Sequence, residues 1–148
     1  MIKTETIGML DSAKVNPVLT SQTDVENYQF ITNDGDVYLV ANTLTGDDAG
    51  KEDVVIKAGE YLNGFLVKVW DGQKLIVDEK HIAYTASKSY SDITAGTTLM
   101  TINTNGKLAV AESAPASGVY FKVTDKCRLT QKAVKVKVIV VDKDTVSA

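Results

Sequence analysis

The chain holds a single histidine and a single cysteine, and their neighbours decide which chemistry each can do. His81 follows three charged residues (78–80) at a predicted junction between strand and loop, and no second histidine can share a metal or a proton with it. Cys127 lies between Lys126 and Arg128, whose charges can lower the pKa of a thiol. No catalytic motif surrounds either side chain, and one Cys with one His cannot complete a structural zinc site. We therefore predict a structural or surface role for His81 and an inert thiol at Cys127.

Carboxylates are far more numerous than either of these groups, and several of them lie close together in two acidic turns. Asp34 and Asp36 flank Gly35, and four more acids crowd residues 43–53. Neither stretch has the ligand spacing of an EF-hand calcium loop. We expect hydrated turns and no cofactor, although calcium binding by the 43–53 loop stays open. A glycoside hydrolase needs two carboxylates across a cleft, which sequence alone does not pair, so that hypothesis has no assigned residue.

Two further catalytic signatures are missing from the sequence. No serine lies in a nucleophile-elbow pattern, and no glycine-rich loop ends in the Lys-Ser or Lys-Thr pair of a phosphate-binding loop. The sequence therefore predicts that the chain is not an enzyme and assigns no catalytic or metal-binding residue.

Trp70 is the aromatic residue for which two roles compete, because it directly precedes a predicted Asp71-Gly72 turn. An exposed tryptophan at a hairpin tip can stack on a sugar ring, as in a carbohydrate-binding module. Tryptophan also packs across strands inside sheets. A glycan-binding role therefore predicts an exposed Trp70, whereas a structural role predicts a buried one.

Length and composition indicate one ordinary globular domain. The chain has 148 residues, of which 44% are hydrophobic and 24% are charged. No apolar run approaches the ~18 residues that a membrane helix requires. The first six residues include an acid and no apolar core, so we expect no signal peptide. A lone cysteine cannot form an intrachain disulfide, which is typical of a protein kept in a reducing compartment.

The charges are distributed unevenly along the chain. Residues 1–60 carry 4 Lys and 11 acids, a net charge of −7, whereas residues 61–148 carry a net charge of +4. Between residues 122 and 137 the chain carries six basic residues and a single acid, Asp125. They form either a hydrated strand face or one of two complementary surfaces that meet in an oligomer or on a partner. We expect no nucleic-acid binding, because no aromatic residue lies between these charges and the whole chain is acidic.

A pattern that occurs twice predicts hairpins. Residues 56–62 (IKAGEYL) are echoed by residues 93–99 (ITAGTTL), and each copy continues through an apolar stretch to a Gly turn and a short apolar run. We predict strands at 65–70 and 74–77 joined by a turn, strands at 99–102 and 107–110 joined by another, and alternating strands at 119–123 and 134–138. The fold class is therefore all-β, as an antiparallel β-sandwich or small β-barrel of hairpins with an extended N-terminal arm.

The N-terminal segment differs from this body, and we divide the chain into an arm (1–22) and a single β domain (23–148). The arm has scattered apolar residues without a clear period, and Asn16-Pro17 favours an extended conformation. Thr23 and Glu26 then have capping-box spacing, which predicts one or two helical turns. We predict that the arm binds a partner or a neighbouring copy, and that the body folds without residues 1–19. The predicted contact residues are Ile2, Ile7, Met9, Leu10, Val15, Pro17, Val18 and Leu19.

Three stretches together resemble the head decoration proteins of tailed bacteriophages, also called cement or auxiliary capsid proteins. They are AGEYL at 58–62, AGTTL at 95–99 and GVYFKV at 118–123, in an Ala-Gly-x-x-Leu corner followed by a strand. The resemblance covers roughly residues 54–141 and carries no functional residue with it. It implies a protein without an active site that binds the capsid lattice and bridges its subunits. The chain is longer than the smallest members, and residues 23–53 have no counterpart.

This resemblance sets the leading functional hypothesis. It implies a non-enzymatic protein of the capsid surface of a virion, assembled in the host cytoplasm. Its partners would be the major capsid protein and further copies of itself, with no nucleic acid and no membrane. The alternative is a fibre, baseplate or surface adhesion module that binds glycans.

Overall fold

The computed structural model describes residues 2–4, 15–41, 55–128 and 131–141. Within these residues the chain forms β-strands and three short 3-10 helices, which confirms the predicted all-β class. The strands are β1 (Ile2–Thr4), β2 (Val15–Thr20), β3 (Val25–Glu26), β4 (Phe30–Asn33), β5 (Asp36–Val40), β6 (Val55–Ile56), β7 (Tyr61–Leu66), β8 (Lys74–Asp78), β9 (Ile82–Ala83), β10 (Leu99–Ile102), β11 (Leu108–Ala111), β12 (Gly118–Arg128) and β13 (Lys132–Val141). The 3-10 helices are Val67–Trp70, Glu79–His81 and Tyr90–Asp92.

The strands form curled, mainly antiparallel sheets that give half-barrels. The largest sheet has the order β1-β8-β13-β12-β10-β11-β9, in which only the β9–β11 pair is parallel. A second sheet has the order β2-β7-β5-β4, and β3 pairs with β6. One apolar core lies against the large sheet, and a smaller cluster that includes Leu19, Val25 and Val40 lies against the other strands.

The β12–β13 hairpin is the longest strand pair of the structure. Its register runs from Gly118 opposite Val141 to Arg128 opposite Lys132, with a bulge between Val123 and Asp125. Four alternate valines of β13 are buried while Lys137 is exposed, because successive side chains of a strand point to opposite faces. The predicted alternation of this strand is therefore confirmed. The buried valines are Val134, Val136, Val138 and Val140.

Both copies of the repeated corner adopt the same local structure. Gly59 and Gly96 have φ angles of 87° and 84°, and each precedes a strand, β7 or β10. The Gly59 amide donates to the Ser21 carbonyl (2.9 Å) and the Gly96 amide to the Val123 carbonyl (2.8 Å). Each corner therefore ties the start of its strand to a neighbouring segment.

The second halves of the two copies differ. Leu99–Ile102 and Leu108–Ala111 form the predicted hairpin. The hairpin predicted around Asp71-Gly72 is wrong, because β7 pairs with β2 and β5 while β8 pairs with β1 and β13. Asp71 instead accepts a hydrogen bond from the Val140 amide (3.0 Å), and Gly72 donates to the Val138 carbonyl (2.8 Å). The turn is thus held by β13, and residues 67–70 wind into a 3-10 helix.

The helical turn predicted after Thr23 is also wrong, because Val25–Glu26 is a strand that pairs with Val55–Ile56. The Thr23 backbone amide donates to the Ser21 hydroxyl (3.2 Å). Asp24 accepts the Ala58 amide (2.9 Å) across the strand pair, and Val25 is buried in the smaller core. Contacts with residues 55–58 therefore override the local capping signal.

Candidate functional site

The predicted arm residues fall into three groups. Ile2 and Leu19 are 2% and 3% exposed and pack in the two cores of this chain, since β1 pairs with β8 and β2 with β7. Val15, Pro17 and Val18 lie within β2. Ile7, Met9 and Leu10 lie outside the described residues. Ile2 and Leu19 therefore contribute to this chain's own packing, and partner contact by the arm stays a prediction.

Trp70 is buried, with 2% of its surface exposed. Its ring stacks on Phe65 at a centroid distance of 6.4 Å and an interplanar angle of 23°. Of the two roles that compete for Trp70, the structure supports packing, because no face of this indole is open to a ligand.

His81 is buried beside another polar residue. Its Nε2 lies 3.8 Å from the Oδ1 of Asp78, which is itself 1% exposed, and its ring meets the edge of Tyr28 at 5.8 Å. Burial lowers the pKa of His81 to about 4, against the smaller opposing effect of Asp78. The imidazole is thus neutral at pH 7 and contacts Asp78 and Tyr28. Burial also raises the pKa of the Cys127 thiol.

The outer end of the β12–β13 hairpin carries a cluster of cations, which we call the basic face: Lys126, Arg128 and Lys132. All three are exposed, and Arg128 lies directly opposite Lys132 in the register. The ammonium groups of Lys126 and Lys132 lie 4.8 and 5.4 Å from the centre of the Tyr90 ring. Cation–π attraction therefore holds two of these charges close to one aromatic ring.

Tyr90 is itself fixed in place. Its hydroxyl donates to the Ala133 carbonyl (3.0 Å). Its short 3-10 helix begins with a capping box, in which the side chains of Ser89 and Asp92 each accept the backbone amide of the other residue. Burial raises the pKa of the Tyr90 phenol. The basic run is evident in the sequence, whereas the role of this ring is not, although the Ser89-x-x-Asp92 spacing is a visible capping signal.

A groove of about 790 Å³ lies between the β3–β6 pair, β9 and the β10–β11 turn. Its apolar lining comes from Val55, Ile82, Ala83 and Tyr84, of which Val55 and Tyr84 are 43% and 37% exposed. Its polar lining comes mainly from Glu26, Gln29, Asn103, Thr104, Asn105 and Lys107. Pockets of ~300–1,000 Å³ are of the size that holds small ligands.

The walls of the groove are held by backbone hydrogen bonds. Asn103 Oδ1 accepts from the amides of Asn105 and Lys107, each at 3.0 Å, which shapes the β10–β11 turn. The Phe30 amide donates to the Gly106 carbonyl (2.9 Å) and joins this turn to β4. On the other wall, the Ala58 amide and then Lys57 hold the pKa of the Asp24 carboxyl below its ordinary value.

Comparisons with protein-family models, curated proteins and solved structures gave no significant match. Within the described residues, no three His, Cys, Asp or Glu side chains form a group that could hold a metal ion. The helices of that same part of the chain are too short to cross a membrane. The basic face and the groove are two features of the described surface that a partner or a ligand could contact.

Proposed function

We propose that this chain is a non-enzymatic structural protein that binds the outer surface of a phage capsid and stabilises the lattice, as a decoration or cement protein does. The sequence resemblance supports the proposal, and both Ala-Gly corners that carry it fold alike. The observation that carries it furthest is the basic face, a preformed cluster of exposed charge at the end of the longest hairpin. The partners are the major capsid protein and neighbouring copies.

A lattice protein needs contacts that repeat identically around the shell. The basic face supplies a positive surface, and we expect residues 1–60, with a net charge of −7, to supply a negative one in every copy. Contacts between unlike patches of identical subunits are heterologous, so they propagate or close into rings. Electrostatic complementarity of this kind selects the partner and accelerates association. Many copies then stabilise a shell although each contact is weak.

The test is head binding by charge-reversed variants. Arg128→Glu with Lys132→Glu reverses the cross-strand pair within the basic face. Lys122→Glu with Lys137→Glu reverses another cross-strand pair of the same hairpin and changes the net charge by the same amount. We expect the first variant to lose binding to expanded heads that lack this chain in a co-sedimentation assay, while the control still binds. Wild-type binding should weaken as salt concentration rises.

Equal loss of binding in both variants would show that net charge, not the basic face, controls attachment. Full binding by the Arg128→Glu, Lys132→Glu variant would remove the observation on which the proposal rests. Thermal unfolding of both variants serves as the folding control, since Lys132 also contacts the Tyr90 ring.

A further inference from the structure

We propose that the groove between the β3–β6 pair, β9 and the β10–β11 turn is a binding site for a neutral oligosaccharide. The proposal does not depend on the capsid role, because it rests on other residues than the basic face. It also differs from a Trp70 platform, which the burial of that ring excludes. Three properties of the groove carry it: the mixture of hydrogen-bonding groups, the charge balance and the exposed phenol ring.

The polar wall carries both hydrogen-bond donors and acceptors. The Oδ1 of Asn103 and the Oε1 of Gln29 already accept backbone amides, so each side chain has its NH₂ group left to donate. Glu26 supplies a carboxylate with no partner among the described residues, and Thr104 supplies a hydroxyl. Sugar hydroxyls both donate and accept, so a wall of this composition satisfies them better than it satisfies an apolar ligand.

The charges of the groove nearly cancel. Lys57 lies 3.4 Å from the Asp24 carboxylate and compensates it at the rim. The remaining lining charges are those of Glu26 and Lys107, which are opposite in sign. A strongly charged ligand would leave one of these groups facing a like charge. The ligand class that fits is therefore polar and neutral.

The apolar wall provides the other half of a sugar site. Tyr84 is 37% exposed and lines the same groove as Ala83 and Val55. One face of a pyranose ring consists of C–H groups, which pack on an aromatic ring while the hydroxyls at the edge reach polar groups. A cavity of about 790 Å³ has room for a short oligosaccharide rather than a single small ion.

The groove is also preorganised. The β10–β11 turn is closed by the Asn103–Lys107 hydrogen bonds and packs against Gln29 through Gly106. A rigid site loses less conformational entropy when it binds, so weak contacts yield more affinity.

The experiment is an amide NMR titration of the full chain with neutral oligosaccharides that together cover hexose, N-acetylhexosamine and deoxyhexose units. We expect at least one to shift the amides of residues 82–84 and 103–107. Tyr84→Ala should weaken that binding by about tenfold, while Tyr84→Phe, which keeps the ring, should retain it. Tyr61→Ala is the matched control, because Tyr61 is a more exposed tyrosine (69%) on β7 that does not line the groove.

For each variant, an unchanged amide spectrum outside the groove would show that the protein is folded. If Tyr84→Ala does not fold, Asn105→Ala in the exposed turn takes its place and should also weaken binding. Three results would overturn the proposal. They are no shift at these amides with any neutral oligosaccharide, shifts only with anionic glycans, and equal loss of affinity in the Tyr61→Ala control.

Discussion

At the scale of single residues, burial determines the chemistry of His81. The side chain is 3% exposed, and its carboxylate neighbour Asp78 is 1% exposed. Removing an imidazolium from water costs more than this one carboxylate restores, so the neutral form is preferred. Residues of this type are often read from sequence as acid–base catalysts. Here the imidazole is enclosed, so its protonation is linked to the stability of the fold.

The buried histidine predicts a specific dependence of stability on pH. Its pKa is about 4 in the folded chain against 6.5 when unperturbed, so the unfolded state binds the extra proton. The stabilisation from a neutral His81 is complete above about pH 6.5 and is lost as the pH falls towards 4. Relative to His81→Gln, the wild type should lose about 2–3 kcal/mol in free energy of unfolding between neutral pH and about pH 4.5.

Urea denaturation of both proteins across this range measures that difference. The effect of carboxylate titration on stability is common to both proteins and cancels when their unfolding free energies are subtracted. A difference between wild type and His81→Gln that does not change with pH would contradict the lowered pKa. A direct NMR titration of the imidazole ring gives an independent value.

Single residues also show where the sequence was insufficient. Trp70 lies next to a Gly turn, which is a surface position in most hairpins, yet Phe65 and the large core cover it. Tyr84 gave no signal and Tyr90 only the local capping signal of Ser89 and Asp92, because the importance of both rings depends on residues that are distant in the chain. Long-range packing decides both outcomes, and no local pattern encodes it.

At the scale of elements, the turn between β10 and β11 joins two parts of the fold. Gly106 is buried with a φ of 76°, and a Cβ atom there would overlap Gln29 and the Phe30 carbonyl. Gly72 has a similar φ of 82° but open space around it. A comparison of substitutions at the two glycines therefore separates the cost of backbone strain from the cost of close packing.

We predict that Gly106→Ala destabilises the chain far more than Gly72→Ala. The left-handed conformation should cost about 1–2 kcal/mol at either position. The overlap at Gly106 should add about 1–3 kcal/mol, because the turn must move away from β4. Chemical denaturation of the two variants measures the difference. Equal destabilisation would mean that the turn is not packed against Gln29 and Phe30.

The elements that the sequence predicted correctly are those fixed by local pattern. The alternation of Val and Lys in β13, the two Ala-Gly corners and the β10–β11 hairpin all need only neighbours in sequence. The Asp71-Gly72 hairpin and the helical turn after Thr23 failed, because β13 and β6 compete for those backbone groups. The same applies to the arm. Removing residues 1–19 would take Ile2 and Leu19 out of the cores, so we no longer expect the remaining body to be fully stable.

At the scale of the whole molecule, charge is segregated between an acidic N-terminal part and a basic C-terminal part. The largest sheet brings three of the basic residues together at the end of one hairpin. The described surface thus carries a cluster of positive charge, to which the proposed function assigns contact with an acidic surface. This arrangement suits a protein that acts by repeated attachment, which is the central claim of the proposed function.

Copy number tests that claim most directly. Particles purified from the source would be analysed by quantitative mass spectrometry, counting this chain against the major shell protein. A lattice-wide decoration protein predicts a constant ratio that is a simple fraction of the shell protein. A handful of copies per particle, as for a fibre or baseplate component, or complete absence from particles would contradict it.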